Sequence, residues 1–389
     1  MSPNAAQDVP PFLLTEGGPG AVLLRTLRLA PIAPGSRREA LVLAGVAWVP
    51  LLVLSLSEGL ATGGVPIPFL RDIAAHVRFL FALPVLVLAE IPIGRRLRQV
   101  TAHFIVSGLV RREQHERFAK IIVDAVRFRD SRVAELVVLA AAYMTAVGVL
   151  TRITTQQGDI WFSPHEGEIS RSGYWYVLVS IPIVQFLVYR WIYRMVVWTR
   201  FLAKVQSLDL ELTPTHPDGA GGLGFLGAAC VPFGLLLFAM SAVVSSQIAN
   251  RILFTGAKLE QYQFSYAALF VLALAIFGSP LLVFVPKLAK LKREARLEYD
   301  TFATQYTQLF ARKWIDPGTP GESPLGSGDI QSLADLGTSY ERVKNVRLVP
   351  VQLGDFIGMV VPGLIPVLPL VATVMPVSEI VKGLLHLLT

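Results

Sequence analysis

The chain has 389 residues, of which 53% are hydrophobic and only 16% charged, with a formal net charge of +7. An ordinary soluble domain carries roughly 25% charged residues, so a water-soluble protein is excluded. The single cysteine, Cys230, excludes an intrachain disulfide and any multi-thiolate zinc centre.

Residues 1–39 contain Asp8 and Glu16 and no basic region leading into an apolar run, so no cleaved signal peptide is expected. They read as a cytoplasmic arm in which 21–30 (AVLLRTLRLA) is a short basic amphipathic stretch suited to the membrane surface. The apolar residues that follow are gathered in blocks near the ~20 residues a helix needs to cross a bilayer. Seven spans are predicted, over approximately 40–56, 73–93, 133–150, 174–197, 228–249, 266–285 and 356–375. The expected fold is therefore an all-α, polytopic integral membrane protein with extended cytoplasmic helices. No internal repeat is present.

Between spans two and three, an insert at 99–132 includes Phe118, Ile121, Ile122, Ala125 and Val126 at helical spacing, so one face is apolar and the other charged. The six-span domain (40–286) ends at Pro286 and leads into a cytoplasmic extension over 287–350. That extension is a basic, aromatic helix up to Pro317, a Pro/Gly/Ser linker over 317–328, and one more short helix capped by Asp329 or Ser332. The last membrane segment, 351–389, holds Pro362, Pro366, Pro369 and Pro376. Proline removes a helical hydrogen bond, so this segment is either a kinked span or a pair of half-helices that re-enter the cytoplasm.

Lys and Arg concentrate in cytoplasmic loops. With the N-terminus inside, 26 of the 35 basic residues fall in inner segments and 5 in outer loops. This places the N-terminus in the cytoplasm and, with seven spans, the C-terminus outside; in a bacterium the membrane would be the inner one. The same loops account for the basic balance, so no nucleic-acid partner is needed to explain it.

No P-loop, Rossmann fingerprint, Ser-His-Asp arrangement or HExxH motif is present, and neither a cofactor nor a metal is expected. What remain are polar groups where they are costly. In span two, Asp72 and His76 are four residues apart, and Glu90 is eighteen beyond Asp72, five whole turns later. Ionisable residues inside a span usually face a bundle or cavity, so these three are candidates for one pathway. The alternative places Asp72, His76 and Arg78 in the headgroup zone and pairs Glu90 with a nearby arginine. In span four, Arg190 and Arg194 read as snorkelling side chains, which leaves Gln185 unexplained. Ser241 and Ser245 in span five either hold helices together or line a wet path. Pro366 and Pro369 complete the candidate pathway set.

The loop before span five, THPDGAGGLGFLGAAC, places His216 and Asp218 beside Gly219, Gly221, Gly222 and Gly224. Glycines let backbone N–H groups approach a ligand, and a helix N-terminus favours anions. A phosphate, lipid headgroup or carboxylate would fit, and so would a tight turn without a ligand. The expected function is an ion channel or small-solute transporter, with the bilayer, a solute and a second copy of the chain as partners. The alternatives are a membrane enzyme acting on a lipid or isoprenoid, using His216, Asp218, His103 and Glu90, and a receptor or scaffold.

Overall fold

The computed structural model describes residues 12, 14–18, 35–155, 159–316 and 326–371. The surface stretch expected at 21–30, most of the Pro/Gly linker, Pro376 and the C-terminus lie outside these residues. The described residues are helical, with isolated β-bridges and no strand.

Among the described residues, seven helices are long and apolar enough to cross a membrane: α1 (Arg37–Ser57), α2 (Ile73–Val106), α4 (Arg132–Thr155), α5 (Arg171–Gln206), α6 (Phe225–Thr255), α7 (Leu259–Leu282) and α10 (Leu353–Val371). Three more, α3 (His115–Arg129), α8 (Val285–Trp314) and α9 (Gly328–Lys344), lie at the end of the bundle where α1 begins. We call that the near end, and its opposite the far end. Large apolar side chains such as Met144, Phe264 and Val271 point outward, where a soluble protein would carry charge. This is the pattern of a membrane-integral protein.

Each helix buries one stripe. In α1, Ala40, Ala44, Ala47 and Leu51 are buried while Leu41 and Val53 face out, a helical period. Ser36 caps its start by accepting from the Glu39 N–H. In α3 the apolar face is buried as its spacing predicts: Phe118, Ile121, Ile122 and Ala125 pack inward, and Phe118 meets Phe201 of α5.

Two spans, α2 and α5, widen locally for one reason. A wide, π-type turn occupies Val77–Ala82 in α2 and Tyr176–Ser180 in α5. Each ends two residues before a proline, Pro84 and Pro182. Proline has no N–H and its ring crowds the carbonyl four residues earlier, so the preceding turn opens. A further break in α2 falls at Ala89, three residues ahead of Pro92.

At the far end, Glu58 closes the start of α5, its carboxylate accepting from Arg171 N–H at 2.7 Å and from Ser172 N–H and hydroxyl at 3.2 and 3.0 Å. At the near end, Lys287 of α8 donates to the carbonyls of Gln206, at 2.8 Å, and Leu208, satisfying acceptors that the end of α5 leaves free. α9 folds back on α8 through Asp329, which takes Lys313 at 2.7 Å and the Trp314 indole N–H at 3.1 Å. α10 runs beside α6: Pro362 lies inside it and Pro366 in a tighter turn at Ile365–Val367. By length and composition it qualifies as a span.

Candidate functional site

A polar cavity of about 490 Å³ opens at the far end between α2, α5, α6 and the loop before α5. Asp72, Arg78, Asp159, Ser163, Gln247 and Arg251 are among its lining residues. Asp72 is only 4% exposed. Its backbone is non-helical, so it caps the start of α2 and accepts from Ala75 N–H at 3.0 Å. The same carboxylate takes the Asn250 amide at 2.7 Å and the Trp161 indole N–H at 2.8 Å. Asn250 in turn accepts from Ile73 N–H at 3.1 Å, which ties the end of α6 to the start of α2. Arg78 donates to the Tyr176 hydroxyl, so the two wide turns meet at this wall. Such turns recur at functional sites. Asp159, at φ 118, is the non-glycine residue with positive φ among those described. A non-glycine held there stores strain that the surroundings must fix; its N–H donates to Ser163 O, and its carbonyl accepts from Ile67 N–H.

A second polar centre is buried near the other end. Glu90 of α2 is paired with Arg190 and Arg194 of α5, and all three are at most 4% exposed. Arg194 Nη2 lies 3.1 Å from Glu90 Oε2 and also donates to Thr15 O at 3.1 Å, so the N-terminal segment closes over the cluster. The Arg194 guanidinium lies over the Trp191 ring at 4.9 Å. Glu39, 2% exposed, accepts from Gly35 N–H at 2.7 Å and supplies a second carboxylate to the field of both arginines.

These positions separate the residues placed on one face of span two. Asp72 serves the far-end cavity. His76 turns toward α1, where its Nδ1 accepts the Trp48 indole N–H at 2.9 Å and its ring packs edge-on against Phe69. Glu90 belongs to the ion cluster. The common face fails because Asp72 precedes the helix, and because the wide turn and the break at Ala89 rotate everything beyond them. Arg190 and Arg194 are buried ion-pair partners rather than snorkelling side chains. No family model, curated protein or solved structure matches this chain. The site therefore rests on its geometry.

The other expected pathway residues fall apart in the same way. Gln185 accepts from the Thr145 hydroxyl of α4, which makes it a helix-to-helix contact. Ser245 hydrogen-bonds the Tyr266 hydroxyl of α7 at 2.8 Å, and Ser241 is fully buried with no partner for its hydroxyl among the described residues. Ser245, Pro366 and Pro369 line a different, mostly apolar groove of about 390 Å³ between α2, α6 and α10.

In the glycine loop the backbone donors are already engaged. Asp218 Oδ1 accepts from Ala220 N–H at 2.8 Å and Gly222 N–H at 3.1 Å, and Oδ2 accepts from Gly224 N–H at 2.7 Å. His216 Nδ1 lies 2.8 Å from the same carboxylate. The positive φ of Gly219, Gly221 and Gly222 brings these N–H groups round one oxygen pair. The loop thus carries its own anion and docks on Arg347, which donates to Asp218 O and, through its N–H, to Gly219 O at 2.8 Å. This geometry favours the turn over the ligand site.

Burial pushes the Asp218 carboxyl up, but the three backbone N–H groups and His216 outweigh it and hold it below its ordinary value. A depressed carboxylate contributes stability that is complete above its unfolded pKa and is lost as pH falls through the folded one. The loop should therefore hold at neutral pH and loosen only below the ordinary aspartate value of 3.8. Asp218→Ala is expected to cost about 1–2 kcal/mol, the scale of a lost cap, and Asp218→Asn less, since one acceptor oxygen survives. Thermal unfolding in detergent at pH 7 checks the order. Equal stability of wild type and Asp218→Ala would remove the carboxylate from this role.

The sequence reading left out Glu39, Trp161 and Tyr176, and noted Asn250 only as a polar residue just beyond the end of span five. Glu39 abuts the first apolar run and Asn250 the end of the fifth, and a polar residue at such a boundary is the signal available. Nothing local marks Trp161, whose role depends on a partner 89 positions away.

Proposed function

We propose that the protein carries a small polar solute across the membrane, taking it up at the far-end cavity, with the near end in the cytoplasm. The observation that carries this reading is the cavity itself, a polar recess of about 490 Å³ within a bundle of membrane-length helices. Its lining supplies both signs of charge, Asp72 and Asp159 with Arg78 and Arg251, which suits a zwitterion or a solute rich in donors and acceptors. Between this cavity and the ion cluster, α2 is packed by Phe79, Ala82, Leu83, Leu86 and Val87, all at most 2% exposed. A tightly packed stretch favours a gated carrier over an open pore. The basic residues concentrated in α3, α8 and the near-end loops support the orientation.

The test is uptake into liposomes containing the purified protein, with a panel of amino-acid zwitterions beside Na⁺, K⁺, Ca²⁺ and protons. Saturable uptake of at least one zwitterion is expected, reduced roughly tenfold in Asn250→Ala and in Arg78→Gln. His216→Ala, in the near-end loop, should leave it unchanged. Conduction of ions alone, insensitive to both substitutions, would replace the carrier by a channel that does not use this cavity. No flux of any probe would overturn the transport reading.

A further inference from the structure

A separate cavity of about 210 Å³ lies between α1, α4 and α5. Its walls are apolar, with Leu43, Leu139, Val179 and Phe186 among them, except that Glu39 and Arg190 of the ion cluster also line it. Along α5 the wall runs from Leu178 to Arg190, about 18 Å of helix at 1.5 Å per residue. Leu178 and Tyr143, 52% and 46% exposed, leave the cavity open on the side where lipid would lie. Arg190 is 4% exposed and directs Nη2 to Glu90, yet its Nε–H has no acceptor among the described residues. A buried donor without a partner is rare in a native protein and calls for an explanation.

We propose that this groove binds a neutral, membrane-soluble molecule with an apolar tail and a carbonyl head, the carbonyl oxygen accepting from Arg190 Nε–H and the tail lying between α4 and α5. The apolar lining selects the tail. The charge count of the cluster selects the head: with both carboxylates ionised, Glu39 and Glu90 balance the two guanidiniums, Arg190 and Arg194. An anionic head would leave one negative charge in excess in a water-poor site, where it is most costly, whereas a neutral carbonyl satisfies the donor and leaves the balance intact. Quinone and ester carbonyls share this chemistry. The groove shares no lining residue with the far-end cavity, so the proposal stands or falls apart from the transport reading.

The experiment measures binding to the purified full-length protein in detergent by isothermal titration. The probes are decylubiquinone, methyl oleate, oleic acid and dodecane. One or both carbonyl probes should bind saturably and at least about tenfold tighter than dodecane, and the stronger of the two identifies the head as quinone or ester. Arg190→Lys retains the charge facing Glu90 but removes Nε, and should bring both carbonyl probes down to the dodecane level. Should that variant fail to fold, Leu139→Trp and Val179→Phe fill the groove without touching the cluster, and each should weaken carbonyl binding by at least about tenfold. Dodecane binding as well as the carbonyl probes, oleic acid binding more tightly than either, no probe binding at all, or filled variants binding like wild type would each overturn the proposal.

Discussion

Glu90→Gln is expected to destabilise the protein by about 3–5 kcal/mol, the usual cost of removing one partner from a buried ion pair. The reason is what remains. Arg190 and Arg194 are at most 4% exposed, and among the described residues Arg194 has only Thr15 O as a further hydrogen-bond acceptor. Removing the carboxylate leaves two guanidiniums facing Glu39 alone, one uncompensated positive charge in a site closed to water. Arg190→Gln leaves the opposite excess and is expected to be damaging as well. The double variant Glu90→Gln with Arg190→Gln restores neutrality, with Glu39 against Arg194, and should lose less than the sum of the single changes by about 0.5–3 kcal/mol, the range found for groups in one network. Thermal unfolding of the four proteins in one detergent supplies the cycle. Strict additivity would mean that the cluster is not a unit, and that each arginine is satisfied by something other than Glu90.

The spans were legible because a membrane imposes length and composition on a helix, and both can be read without knowing what the helix touches. Thus Arg37–Ser57 and Ile73–Val106 begin at or within a few residues of the expected starts, and the buried face of α3 followed from the spacing of Phe118, Ile121, Ile122 and Ala125. Faces within the spans were less legible. An arithmetic of 3.6 residues per turn assumes a regular helix, and the prolines that widen α2 and α5 change the rotation of every residue beyond them. Glu90 reached arginines, as the alternative sequence reading had it, because a carboxylate in a span needs a partner and α5 offered two. The far-end site was hidden for another reason: Asp72 and Asn250 are 178 positions apart, and no local pattern announces a contact made by closure of the bundle. In the glycine loop, the residues that suggested an anion site were correct for the geometry, but Asp218 itself is the anion.

The second large effect is expected at Gly234 of α6, where α10 docks. A Cβ added there would lie 2.8 Å from Met359 O, 3.0 Å from Pro362 Cγ and 3.2 Å from Gly358 O. Two of the three obstacles are backbone atoms of a helix and cannot swing aside as a side-chain end can. Pro362 has no N–H to offer the carbonyl of Gly358 four residues earlier, and that carbonyl rests against the bare backbone of Gly234, the kind of close approach that small residues permit between membrane helices. Gly234→Ala should therefore cost about 1–3 kcal/mol, the range for overpacking, and Gly234→Val more, with α10 displaced first. Gly227→Ala should behave alike, since its Cβ would meet Asp355 Oδ2 at 2.5 Å and Pro350 O at 2.7 Å. Gly278→Ala in α7 is the contrast: nothing lies within 4 Å of its added carbon, and replacing glycine inside a helix is expected to gain about 0.5–1 kcal/mol. Unfolding temperatures in detergent, read together with protease cleavage of the 345–352 segment that leads into α10, distinguish the cases. Cleavage should accelerate in Gly234→Ala and Gly227→Ala and remain at the wild-type rate in Gly278→Ala. If all three variants unfold and cleave alike, α10 is not held by this close approach, and the proline-freed carbonyl has no part in seating the last helix.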